Sequence, residues 1–141
     1  MAWPWMSRTK DAGTAANGAG SARAITGRAG EALAQRYLEA HGLRVLERNY
    51  RVARGRSRRG GEIDLILLDT DGTLVFAEVR VRRGFVGGGA AASVSPAKRA
   101  RLVYAAQTYL SRLSRVPPCR FDVVAVDGDR VQWLKAAFDE C

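Results

Sequence analysis

The chain has 141 residues, 47% of them hydrophobic, and a formal net charge of +9. That size suits one compact domain with a real core, and the basic excess points to a polyanionic partner, nucleic acid or an acidic membrane surface, beyond mere solubility. The two cysteines, Cys119 and Cys141, are isolated and suggest neither a disulfide framework nor a zinc site. His41 is the sole histidine, so a His-based metal cluster or a Ser-His-Asp triad would draw on a single imidazole.

In chain order, residues 1–22 read as a disordered tail and 23–141 as a single domain. The tail opens on Trp3-Pro4-Trp5 and has no apolar stretch of signal-peptide type, so a cytoplasmic protein is the default. No run approaches the roughly 20 apolar residues that span a bilayer. A helix is expected from Thr26, an N-cap, to Gly42, a C′ stop. Its apolar stripe is Ala29, Leu33, Tyr37 and Ala40, widened by Ala34 and Leu38, with Glu31 at the edge. His41, beside that stop, reads as solvated or as a partner of the helix C-terminal dipole.

Leu43 to Asn49 is a first strand, followed by a loop rich in arginine and glycine. Glu62 to Leu68 and Thr73 to Arg82 form a hairpin about the Asp71-Gly72 turn. The period of two puts Leu74, Phe76, Glu78 and Arg80 on one face, and Val75, Ala77, Val79 and Val81 on the other. Ser95-Pro96 opens a second helix with an expected stripe of Val103, Ala106, Leu110 and Leu113. Strands follow at Phe121 to Val126 and Val131 to Leu134. A strand, a crossover helix and a strand imply a parallel pair, so the expected fold class is α/β, a mixed sheet flanked by helices.

Asp64 and Glu78 interrupt apolar strands, where an unpartnered buried carboxylate is costly. Either alone reads as an arginine partner or a water-facing residue. Together, on adjacent antiparallel strands, they can converge on one hard divalent cation, magnesium or manganese. Arg80, two residues beyond Glu78, places a cation where phosphodiester hydrolysis develops negative charge; the plainer reading of Arg80 is a strand-end salt bridge. Glu62 reads as a salt-bridge partner for the loop arginines, with an auxiliary-ligand role as the alternative. Asp122 reads as structural, paired with an arginine.

Four motifs in order carry a resemblance: Gly61-Glu62-Ile63-Asp64-Leu65-Ile66, then Val75-Phe76-Ala77-Glu78-Val79-Arg80-Val81-Arg82, then Val94 with Lys98 and Leu102, then Arg120-Phe121-Asp122-Val123-Val124. From about Gly27 to Phe138 the chain resembles the bacterial YraN family, grouped with restriction-endonuclease-like folds and archaeal Holliday-junction resolvases. The resemblance implies a restriction-endonuclease-like mixed sheet. It also implies a nuclease pattern of an acid on the first helix, an Asp, and a Glu-x-Lys, here Glu31, Asp64 and Glu78 with Arg80. Arg80 departs from the lysine of that pattern. It cannot act as a base, because arginine keeps its proton, but it can clamp a phosphate. Nucleases of this fold often act as homodimers; no dimer surface is legible here.

Two basic clusters complete the reading. One is Arg51, Arg54, Arg56, Arg58 and Arg59; the other is Arg80, Arg82 and Arg83 with Lys98, Arg99 and Arg101. The last three lie in the first turns of a helix, where the dipole disfavours cations, and such a terminus suits phosphate; a solvated basic face is the alternative. The expected function is metal-dependent cleavage of nucleic acid, DNA favoured and branched or damaged forms included. The alternatives are a non-catalytic nucleic-acid-binding or adaptor protein on a nuclease scaffold, and a protein–protein module with an acidic partner.

Overall fold

The computed structural model describes residues 27–53, 60–82 and 94–138. The expected tail, Thr26, Arg54, Arg56, Arg58, Arg59 and Arg83 lie outside the described residues. The elements are α1 (Arg28–Ala40), β1 (Arg44–Val52), β2 (Gly61–Leu68), β3 (Leu74–Val81), α2 (Pro96–Leu110), β4 (Cys119–Asp127) and β5 (Arg130–Phe138). The strands form one sheet in the order β1-β2-β3-β4-β5. β3 and β4 run parallel, joined through α2, and the other neighbours are antiparallel. The chain is thus an α/β fold with a mixed five-stranded sheet, consistent with a restriction-endonuclease-like arrangement. Among the described residues no helix is long and apolar enough to cross a membrane.

The period of two in β3 divides the core into two layers. Leu74 and Phe76 pack with Ile63, Ile66, Leu102, Ala105, Phe121 and Val123 beneath α2. Val75, Ala77 and Val79 pack with Leu65, Leu67, Ala34, Leu38 and Val124 beneath α1. β3 is therefore the buried middle strand, and Glu78 belongs to its α2 face.

Both described helices meet the sheet on stripes that differ from those expected. In α1 the buried positions are Gly30, Ala34 and Leu38, while Ala29 and Ala40 are exposed. The reason is Gly30: a Cβ there would overlap the Val81 side chain, so the helix seats itself on its glycine side. In α2 the buried positions are Leu102, Ala105, Ala106 and Tyr109, with Val103, Leu110 and Leu113 only partly covered. Here Gly61 sets the contact. A Cβ on it would stand 2.7 Å from the Arg101 carbonyl oxygen and 2.8 Å from the Ala105 methyl. The absent side chain lets the first half of α2 press against the start of β2.

Cys119 is disulfide-bonded rather than isolated. His41 caps α1 as expected, its Nδ1 2.7 Å from the Tyr37 carbonyl oxygen.

Candidate carboxylate site

The β2–β3 ladder runs from Leu68↔Leu74 to Leu65↔Ala77 and goes no further. One residue beyond, Asp64 Oδ2 accepts a hydrogen bond of 2.8 Å from the Val79 backbone N–H. The side chain thus takes a donor that a continuing ladder would have paired. The side-chain alternation of β2 breaks at the same place, since Ile63 and Ile66 both join the α2 layer. Opposite Asp64 on β1 stands Asn49, at φ +48, between the pairs Arg48↔Leu65 and Tyr50↔Ile63.

This divergence brings Asp64 to Glu78. The two carboxyl groups are within hydrogen-bonding reach of each other. Glu78 is only 3% exposed. Burial, then the adjacent Asp64 charge, push its carboxyl up to about 7. Burial also raises Asp64, against the Val79 N–H, which lowers it. A buried acid beside a half-buried one repels it when both are anions, so the pair calls for a proton or a cation.

The cation in contact is Lys98. Its Nζ lies 3.1 Å from Glu78 Oε1, with the Lys98 side chain 32% exposed. Ser95, the α2 N-cap, accepts from the Lys98 backbone N–H at 3.1 Å, which fixes Lys98 in the first turn. Lys98, expected to form part of a phosphate-binding surface, is paired with Glu78. The signal available was its awkward place against the helix dipole, which Glu78 offsets.

The other expected site residues fall as follows. Arg80 shares the β3 face with Glu78 and is partly buried; its Nε is buried with no hydrogen-bond partner. Glu31, on α1, lies in the field of Asp64 and Glu62; burial first, then those two charges, raise its carboxyl above the usual range. Among the described residues no group of three or more His, Cys, Asp or Glu is placed to hold a metal ion. Glu62 pairs with Arg51 at 3.6 Å and Arg101 at 3.9 Å, the salt-bridge role expected of it. Arg99 stacks its guanidinium 4.6 Å from the Phe138 ring centroid. Each first-turn cation of α2 therefore has a local partner. Arg51, Arg82 and Arg101 are exposed on the surface.

Asp122 is structural, as expected. It is 1% exposed and accepts from Arg120 Nε at 3.0 and 3.1 Å, Trp133 Nε1 at 2.9 Å and the Ala136 N–H at 2.9 Å. Arg120 reaches on to Asp69 at 2.9 Å.

The family model described as "Uncharacterised protein family UPF0102" matches residues 30–126. The chain belongs to that family. UPF0102 is the YraN family that the four motifs resemble. A UPF0102 protein of Methylibium petroleiphilum is 58% identical over 113 residues, covering 80% of this chain and 93% of its own length. One of Paracidovorax citrulli is 57% identical, covering 85% and 90%. One of an Acidovorax species is 53% identical, covering 90% and 96%. The UPF0102 match takes in α1 from Gly30 and every strand through most of β4, so Glu31, Asp64, Glu78, Arg80 and Lys98 all lie inside it.

Proposed function

We propose that the chain is a metal-dependent nuclease-like phosphodiesterase acting on nucleic acid, with DNA the favoured substrate. The observation that carries this reading is the convergence of Asp64 and Glu78 where β2 and β3 separate. Hard divalent ions are commonly held by one or two carboxylates, with water and substrate phosphate completing the shell. The donor set fits that chemistry without a third protein acid.

In this reading Asp64 and Glu78 hold magnesium or manganese, and Glu31 contributes negative field from α1. The bound ion supplies a nucleophile at neutral pH and offsets phosphate charge. The Val79 N–H fixes the Asp64 carboxylate, so its orientation does not depend on the ion. Arg80, on the same β3 face as Glu78, meets the charge that develops on the phosphate. Arg51, Arg82 and Arg101 on the surface, with Arg54, Arg56, Arg58, Arg59 and Arg83 from the sequence, hold the backbone. Lys98 and Arg99 extend this basic side at the start of α2.

A second reading rests on Lys98. Because the ammonium already balances Glu78, the site is satisfied without an ion, and the scaffold serves to bind nucleic acid without cleaving it.

The test is single-turnover cleavage of single-stranded, duplex and four-way-junction DNA with magnesium or manganese. Wild type should cleave at least one of them, and Asp64→Ala should not. Arg80→Lys should keep measurable activity, whereas Arg80→Ala should lose about 100-fold or more, the usual cost of removing a transition-state donor. Salt-sensitive binding by wild type with no cleavage of any substrate replaces the nuclease with the binding module.

A further inference from the structure

We propose that Lys98 is a displaceable internal counter-ion: it occupies Glu78 when no divalent ion is bound, and turns to the nucleic-acid phosphate when one is. This rests on the carboxylate reading above and adds to it a link between ion and nucleic acid.

Four observations lead there. The Lys98 ammonium touches one oxygen of Glu78, Oε1, at 3.1 Å. Glu78 is almost wholly buried, but the Lys98 side chain is 32% exposed, so the ammonium stands at the border between the acid pair and solvent. The Lys98 main chain is fixed by the Ser95 cap, and α2 is fixed by its contact with Gly61. Only the flexible four-carbon stem remains to move. Finally, Arg80 shares the β3 face with Glu78, so a second cation lies on the same side of the sheet.

The competition has a predictable winner. An ammonium carries one charge and donates to one carboxylate oxygen here. A divalent ion carries twice the charge and draws on both carboxylates at once. Binding the ion leaves Lys98 without its acid, at a helix N-terminus where a free cation is disfavoured. A phosphate oxygen restores the missing partner. Ion and nucleic acid should therefore bind with positive coupling, and by linkage each tightens the other equally. Lys98 adds to the coupling that direct contact between ion and phosphate already supplies. An ion held by the carboxylates alone, with Lys98 a fixed structural pair, carries no such dependence on this side chain.

The experiment uses the full chain as wild type, Lys98→Met and Lys98→Arg, each checked for folding by circular dichroism. Calcium affinity is measured by calorimetry. Affinity for a short fluorescent DNA duplex is measured by anisotropy, with calcium and with chelator at constant ionic strength. In wild type, calcium should tighten duplex binding about 5-fold or more, the low end of allosteric coupling. Lys98→Met should bind calcium more tightly than wild type, since its competitor is gone, and should keep only the weaker calcium dependence of duplex binding that direct ion–phosphate contact supplies. Lys98→Arg should restore the wild-type dependence at least in part, because the charge is back on the same stem. If Lys98→Met binds calcium more weakly, or keeps the full coupling, this inference is wrong while the carboxylate site stands. If wild type binds no divalent ion at all, the carboxylate reading fails and takes this one with it.

Discussion

Asp64 holds the Val79 N–H across the point where β2 and β3 stop pairing, at 2.8 Å. A carboxylate here does the work of a missing strand neighbour and, by doing so, stands beside Glu78. The acid pair is thus built into the sheet rather than hung on a loop, and its geometry is as rigid as the five strands around it.

The same sheet is pinned between β4 and β5 by Asp122. The Asp122 carboxylate satisfies Arg120, Trp133 and the Ala136 N–H at the irregular β4–β5 register. Asp122→Ala should destabilise the fold by about 3–5 kcal/mol, the cost of stranding a buried ionic partner. Asp122→Asn, which keeps an acceptor, should cost less. Urea unfolding followed by tryptophan fluorescence measures both; equal stability of alanine and wild type would mean the network is idle.

Acid–base linkage gives a second expectation, for ion-free protein. Glu78 ionises near its ordinary value of 4.5 when unfolded and at about 7 when folded. The native state therefore keeps its proton longer, and this group makes stability fall as pH rises from about 4.5 through about 7, with no further loss above. Asp64 is raised as well and adds in the same sense. Asp69, held below the usual range because the Thr70 N–H and Arg120 outweigh its burial, acts oppositely, losing stability only as the pH falls below about 4. Urea midpoints across the upper window should decline in wild type and decline less in Glu78→Gln. A wild-type profile parallel to that of Glu78→Gln would remove Glu78 as the source.

The position of α2 depends on an atom that is absent. Gly61→Ala would place a methyl against the Arg101 carbonyl and Ala105. The expected cost is about 1–3 kcal/mol, typical of overpacking. Because the start of the helix must lift, the Lys98–Glu78 pair should loosen as well, which amide exchange in the first turn of α2 would reveal. An undisturbed turn would show that the sheet, not the helix, yields.

Much of this was legible in the residues. The alternation of Leu74 to Val81 assigned Glu78 and its neighbours to their faces, and the crossover helix foretold the parallel β3–β4 pair. Asp64 and Glu78 stood out because charge inside an apolar strand needs a reason. The helix stripes were misplaced because hydrophobic periodicity weighs side chains, and Gly30 and Gly61 act by having none. Lys98 was read as surface because its partner is 20 residues away in sequence and is reached only once α2 folds back over β3. The end of the β2–β3 ladder was illegible for a related reason: nothing in an apolar strand announces where its neighbour departs.

The central claim is that Asp64 and Glu78 form one divalent-cation site. Calorimetric titration of the full chain with magnesium and with manganese tests it most directly, in wild type, Asp64→Asn and Glu78→Gln. The account predicts saturable binding in wild type and severe loss in both variants, each of which keeps the shape of the side chain but removes its charge. No binding in wild type, or binding unchanged by either substitution, would contradict it.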